Sequence, residues 1–260
     1  MVITSRQNHR VKHLRAAFAD NRADDGLVAI EGEHLLEEAV RSGIEVAAVF
    51  NSVMEQEFLA QLNLPATVEK LTLNDDVFSS AVATRSPQGV AALVRPRVYK
   101  REDLLGDVSM IVIAAGLQDP GNLGTLVRTA EAFGATGMLT TENTVDAWNQ
   151  KSLRSSAGSV FRLPMVQGCG MDDLEWLRTQ GVRLLAAVAT GGKPAHLSKL
   201  ASPIALMIGN EGAGLSQEML SLADEHITLP CPGAVESLNA AIAGSVLLYE
   251  ASRQRGIKNS

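Results

Sequence analysis

The stretch IVIAAGLQDPGNLGTLVRTAEAFG, residues 111–134, decides how the rest of the chain is read. Ile111 to Ala115 form a short apolar run rich in β-branched residues, the composition of a strand covered on both faces. Gly116, Pro120, Gly121 and Gly124 follow within nine residues. So dense a set of breakers stops the strand and lets backbone amides approach a ligand closely. Asn122, Gly124 and Arg128 then stand where loop becomes helix. Asn122 is placed to cap that helix, whose free amides and positive dipole end favour an anionic group such as a phosphate. Arg128 lies one turn in, on the face it shares with Gly124 and Thr125. Taken singly, Asn122 also reads as a plain cap and Arg128 as a surface ion-pair partner of Glu131.

Outward from this stretch, helical and extended segments alternate. Toward the N-terminus, Val11, Leu14, Ala17 and Phe18 recur at helical spacing within residues 8–19, with basic residues on the other face. Strands are expected at Leu27–Ile30, Val46–Phe50, from Pro65, and at Gly89–Val94. Helices are expected at Glu33–Ser42, Met54–Leu62 and Leu73–Val82. These make a small α/β domain over residues 1–96. The charged interval at residues 97–106 reads as a linker, and residues 107–260 as a second domain. Past the opening strand and helix, strands are expected at Met138–Thr141, Leu163–Val166, Arg183–Val188, Ile204–Ile208 and His226–Leu229. The intervening helices fall near Gln150–Ala157 and at Met171–Gln180, and a long last helix covers Leu238–Arg253. Such alternation implies a mostly parallel, doubly wound sheet.

Composition narrows the function classes. With 260 residues, 46% of them hydrophobic, the chain can bury one large core or two ordinary ones. No apolar run approaches the roughly 20 residues needed to span a bilayer, so the expected location is the cytoplasm, without a membrane partner. Cys169 and Cys231 are too few for a disulfide framework or a cysteine zinc site, and no metal is expected. A net charge of -6 argues against a protein that coats nucleic acid non-specifically. Locally the balance reverses: Arg6, Arg10, Lys12, His13 and Arg15 all precede the first acidic residue, Asp20. They form either a solvated face or a nucleic-acid contact.

Two further loops resemble the opening one in placement. Residues 208–216, IGNEGAGLS, again follow a buried strand. Their glycines do not make the dinucleotide fingerprint, and GxxxxGK[ST] occurs nowhere, so neither a Rossmann dinucleotide site nor a P-loop is supported. Main-chain groups of this turn can still reach a ligand in the crevice at the strand's carboxyl end, with Glu211 as anchor or acceptor. Residues 229–244, LPCPGAVESLNAAIAG, hold Pro230, Pro232 and Gly233 in a stiff course before Ser237 and Asn239 begin the last helix, and Ser237 can be read as its N-cap. No histidine follows near Cys231 to activate it, and His196 and His226 are isolated.

Together the three loops resemble, in order and spacing, the signature motifs of the SpoU (TrmH-like) RNA 2′-O-ribose methyltransferases of the SPOUT superfamily. The first motif is carried by Asn122, Gly124, Arg128, Thr129 and Ala130, and the second by Gly209, Glu211, Gly214 and Leu215. Pro230, Gly233, Ser237, Leu238 and Asn239 carry the third. Cys231-Pro232 and Ala240-Ala241 depart from the commonest family residues but keep small or apolar character. Residues 1–96 look like the family's smaller RNA-binding domain.

The resemblance implies an α/β C-terminal SPOUT domain with a mostly parallel sheet and a deep trefoil knot at about residues 204–250, plus the smaller N-terminal α/β RNA-binding domain. It implies S-adenosylmethionine as cofactor, held by Ile208, Gly209, Asn210, Gly212, Leu229, Pro230, Ser237 and Leu238. Catalysis would fall to Arg128, assisted by Asn122, Glu211, Ser237 and Asn239. In the family the motif-one arginine removes the hydroxyl proton. Because a guanidinium rarely gives up its own proton, stabilising a phosphate or an alkoxide is the alternative role for Arg128. RNA would be met by Arg6, Arg10, Lys12, Arg15 and Arg128, and the enzyme would work as a homodimer in which Arg128 faces the partner's cofactor. Ribosomal RNA is the expected substrate, the large subunit first. Transfer RNA is the alternative, and a non-catalytic RNA-binding protein is the reading from another class.

Overall fold

The computed structural model describes residues 2–53, 58, 62, 64–84, 86–234 and 237–256. It divides into two compact units, Met1–Arg97 with Trp148–Phe161, and Val98–Ala147 with Arg162–Ser260. Among the described residues, no helix is long and apolar enough to cross a membrane.

The first unit runs β1 (Val2–Ile3), α1 (His9–Ala19), β2 (Val28–Glu31), α2 (Glu33–Arg41), β3 (Glu45–Ser52), β4 (Glu69–Leu73), α3 (Asp75–Ala81) and β5 (Val90–Arg95). Its sheet has the order β1-β4-β3-β5-β2, with β5 antiparallel to both neighbours and the other pairs parallel. Asn8 caps α1 by accepting from the Arg10 amide, and the helix buries Val11, Leu14, Ala17 and Phe18, the four residues its spacing had marked. They pack with Phe78 of α3 and with Phe50 and Leu93 of the sheet. Truncating a side chain such as Leu14 here would cost about 2–5 kcal/mol. The alternate strand residues Val28, Ile30, Val49 and Val94 are buried too, so both sheet faces are covered. The helix expected over Met54–Leu62 lies almost entirely outside the described residues. The third strand starts at Glu69 rather than at Pro65, and Leu73 closes it instead of opening α3.

The second unit runs β6 (Met110–Ala115), α4 (Pro120–Ala132) and β7 (Gly137–Thr141). After α5 (Gln150–Ser156) it resumes with β8 (Met165–Cys169), α6 (Met171–Thr179), β9 (Arg183–Ala187), β10 (Lys193–Pro194), β11 (Ile204–Gly209), α7 (Gln217–Leu222), β12 (Glu225–Thr228) and α8 (Ala240–Gln254). All seven strands are parallel, in the order β10-β12-β9-β11-β6-β7-β8. One face packs Ile111, Ile113, Leu139 and Met207 against Leu174 and Leu177 of α6. The other is covered by α4 and α8, which touch where Gly244 leaves room: a Cβ there would lie 2.6 Å from Leu126 Cδ1. Just past α8, the Arg255 guanidinium donates to four carbonyl oxygens, those of Val108 (2.8 Å), Ser109 (3.0 Å), Leu200 (3.1 Å) and Ser202 (2.7 Å).

Further boundaries differ from the sequence reading. The expected linker is not an open tether in its second half: Arg101–Leu104 make a 3-10 turn closed by Asp103 on the Lys100 amide, and Leu104 is fully buried against Gly137. Residues 148–161 fold with the first unit instead of the second. Gln150 donates to the Ala29 carbonyl at 2.7 Å, and Gly158, at φ +84°, clears space for the Glu38 side chain. The strand expected at Leu163–Val166 lies at Met165–Cys169, and α7, capped by Ser216, had not been anticipated.

Candidate active site

The three loops singled out in the sequence are all carried at the carboxyl edge of the parallel sheet. The turn after β11 is folded tightly on itself. Asn210 and Gly214 exchange backbone hydrogen bonds of 3.2 and 2.9 Å, and the Asn210 Oδ1 accepts from the amides of Gly212 (2.8 Å) and Ala213 (3.1 Å). Its Nδ2 donates to the Gly116 carbonyl at 2.8 Å, tying this turn to the end of β6. Gly209 has no room for a side chain, since a Cβ would sit 2.6 Å from the Leu215 amide nitrogen, and Gly214 takes φ +68°. Only glycine meets the first requirement without moving backbone, and glycine meets the second most easily.

Asn122 does not cap α4. Asp119 does, accepting from the Asn122 amide at 2.9 Å, with Pro120 in the first helical position, where a missing N–H costs nothing. That frees the Asn122 side chain. Its Nδ2 donates to Glu211 Oε1 and its Oδ1 accepts from Asn239 Nδ2 at 3.1 Å. Asn239 is the cap of α8, its Oδ1 taking the amides of Ala241 (3.0 Å) and Ile242 (3.2 Å), so Ser237 is not the cap. The amide orientations are therefore fixed at both ends. A carboxylate can only accept and a backbone N–H can only donate, so neither asparagine can flip without losing a bond. One chain of side chains joins all three loops.

Beside this bridge, a cavity of about 410 Å³ opens between the ends of β9, β11 and β12 and the start of α8. Ile208, Gly209, Asn210, Glu211, Gly212, Leu229, Ser237 and Leu238 line it, as the sequence had marked, whereas Pro230 does not. Ala187, Val188, Ile227, Ala240 and Leu247 line it as well and were missed. They are ordinary apolar residues whose only signal is position at a strand end or on a helix face. Among the described residues, Glu211 is the one carboxylate of the lining. Cys231, an exposed free thiol, also lines the cavity.

Arg128 does not line this cavity; it is exposed on α4 and makes no hydrogen bond or ion pair among the described residues. Glu131, considered as its partner, is instead held by Arg162, whose Nη2 lies 2.9 Å from Oε2. Of the basic residues on and before α1, Arg10 is paired with Glu69 at 2.7 Å and Arg15 donates to the Ser80 carbonyl at 3.0 Å. Arg6 and Lys12 are exposed and uncommitted among the described residues.

Comparison with known proteins agrees with this geometry. Residues 109–249 match the SpoU rRNA Methylase family, and residues 8–92 the MRM3-like substrate binding domain. A relative from Bacillus subtilis (strain 168), the 23S rRNA (guanosine(2553)-2'-O)-methyltransferase RlmP, is 33% identical over 248 residues, covering 95% of this chain and 97% of its own. The crystal structure of the SpoU methyltransferase AviRb from Streptomyces viridochromogenes in complex with the cofactor AdoMet superposes with a TM-score of 0.85 at 28% identity, over 97% of this chain and 100% of that one. An AdoMet-bound rRNA methyltransferase from Sinorhizobium meliloti gives 0.84 at 30% identity, over 97% of both chains. With a family match across more than half its length and a relative aligned nearly end to end, this chain belongs to the SpoU rRNA methylase family.

Proposed function

We propose that this protein transfers a methyl group from S-adenosylmethionine to a ribose 2′-hydroxyl of ribosomal RNA, the large subunit first. The observation that carries the reading is the Glu211–Asn122–Asn239 bridge beside a cavity of cofactor size. A volume of about 410 Å³ falls within the range of small-molecule sites. Its apolar walls, Ala187, Ile208, Ile227 and Leu247, suit a purine, while the Glu211 carboxylate suits a sulfonium cation. The cofactor, when bound, supplies an electrophilic methyl group.

The rest of the chemistry falls to the chain. As the new C–O bond forms and the C–S bond breaks with its electron pair on sulfur, the hydroxyl proton must leave, and Glu211 is the carboxylate that the described lining offers as its acceptor. Asn122 donates to that carboxylate and is itself held by Asn239. Ser237, whose hydroxyl has no partner among the described residues, is available to orient the ribose. Arg128 steadies the phosphate or the developing alkoxide as a fixed positive charge, a role its guanidinium fills without deprotonating.

Arg128 lies away from the cavity of its own chain, which supports a homodimer in which it serves the partner's site. Leu238, Ile242, Val246 and Tyr249 support the same reading: they recur at helical spacing and are 38–53% exposed, an apolar face of the kind that marks an interface. We also read residues 204–250, which cross from β11 out to β12 and return with α8 against α4, as the family's trefoil knot. Arg6 and Lys12 are the preferred RNA contacts of the first unit. The reaction needs no metal, and the cytoplasm is where its RNA is found.

Labelled cofactor offered with separated rRNA and tRNA tests the proposal. The expected result is label on a ribose of large-subunit RNA, the nucleotide then being mapped in cells with and without the protein. Label on tRNA alone, or on a base, overturns the substrate. Absence of both cofactor binding and transfer turns the protein into a simple RNA binder.

A further inference from the structure

The carboxyl edge of the parallel sheet holds a second cavity, of about 730 Å³, that the methyl-transfer reading leaves unused. The first cavity lies toward β9 and β12, this one over the ends of β6, β7 and β8, with β11 between them. The two share the Asn210–Gly214 turn as a wall, since Asn210, Ala213 and Gly214 line both. The second cavity also sits where the strand order reverses, β7 and β8 running outward from β6 on one side and β11 on the other. Parallel sheets bind ligands in the crevice at such a point.

Its chemistry is distinctive. The floor is apolar and buried, made by Ala115, Leu174, Met219 and Cys169. Burial, reinforced by Asp173, pushes the Cys169 thiol up to about 12, so it stays neutral and serves as floor rather than nucleophile. The rim carries Gln118, Glu142 and Asn143, all exposed, whose side chains make no hydrogen bond or ion pair among the described residues. Among the described residues, no lysine, arginine or histidine lines the cavity, and a lone carboxylate stands at its mouth. An anion such as phosphate is therefore disfavoured. A flat, neutral ring with N–H groups on its edge fits: the floor takes its face, and the amides and carboxylate its edge.

We propose that this cavity receives an unstacked nucleobase of the RNA substrate, read at its edge by Glu142, with guanine preferred. Guanine sets an N1–H beside an exocyclic amine, two adjacent donors that match the two oxygens of a carboxylate. The shared wall puts the captured base next to the cofactor cavity, so that holding it also places the strand for reaction. The proposal rests on the RNA methyltransferase reading above.

Nucleoside titration tests it, with the protein saturated by S-adenosylhomocysteine so that the first cavity is filled. Guanosine, inosine, adenosine, cytidine and uridine are added in turn while the methyl signals of Met171 and Met219 are followed by NMR. Guanosine should shift both signals at millimolar concentration, and inosine, lacking the exocyclic amine, should bind several-fold more weakly. Glu142→Gln, an exposed change, should weaken guanosine at least tenfold and raise KM for RNA, with cofactor affinity unchanged. Guanosine shifting neither methyl, five nucleosides binding alike, or Glu142→Gln leaving guanosine binding and KM as they were would each overturn the assignment. Intact methyl transfer with a failed guanosine arm removes the base site alone, whereas guanosine binding without any RNA methylation removes the methyltransferase reading and leaves the cavity as a nucleobase site.

Discussion

The two units spend their polar side chains differently. In the first, the buried or half-buried groups are used up on the unit's own fold. Glu31, almost fully buried, accepts from Thr84 at 2.7 Å and from the Gln88 amide at 3.1 Å; Asn51 accepts from Thr72 and donates to the Ser52 carbonyl; Arg10 and Arg15 are tied to Glu69 and Ser80. In the second, Glu211 and Asn239 at the carboxyl edge are exposed and meet across the loops through the half-buried Asn122, while Arg128 binds nothing in the described chain. Burial makes a polar group a structural fastener, because an unmet partner is costly there. A polar group kept at an exposed strand end, and held by its neighbours rather than by the core, can turn to a ligand.

That contrast can be broken by substitution. Arg128→Ala should lower kcat by on the order of 10²–10³, as removing a preorganised charge does, with cofactor affinity by calorimetry unchanged. A parallel loss of both would move Arg128 into the structural class. Gly209→Ala should weaken cofactor binding by roughly ten- to a hundredfold, because a Cβ there meets the backbone of Leu215 and about 1–3 kcal/mol of overpacking falls on the turn that walls the cavity. Glu31→Ala sharpens the other side of the comparison. It should cost about 1–3 kcal/mol in urea unfolding by stranding the Gln88 amide, yet leave kcat on saturating RNA unchanged. Smallest of all, Arg6→Ala with Lys12→Ala should raise KM for RNA a few-fold and flatten its salt dependence, each lost phosphate contact reducing the slope by roughly one. Arg10→Ala alone should do less, since its charge is already matched by Glu69.

Much of this arrangement was legible in the sequence, and what was not has identifiable causes. The buried face of α1 and the central strands β6 and β11 announced themselves by periodicity and β-branched runs. The bridge residues Asn122, Glu211 and Asn239 were marked by motif position, but their joining was not, because it depends on three loops meeting in space. The misread cap had a signal: Asp119 precedes Pro120, and a proline prefers the first helical position, so the cap belongs before it. The return of residues 148–161 to the first unit had none, since it rests on Gln150 reaching a carbonyl 121 positions away. β1 is two residues long and exists only through its pairing with β4. The apolar liners of both cavities look, in sequence, like any core residue.

Arg255 has a consequence best put mechanically. Its four acceptors belong to the segments that lead into β6 and into β11, the two adjacent strands at the middle of the sheet. A pull on the C-terminal end is thus passed first to this clasp. Four charge-assisted hydrogen bonds must fail before force reaches the packing of α8. The last helix is fastened at its C-terminal end like a rope at its cleat, and the loops at the other end of those strands are shielded from strain applied there.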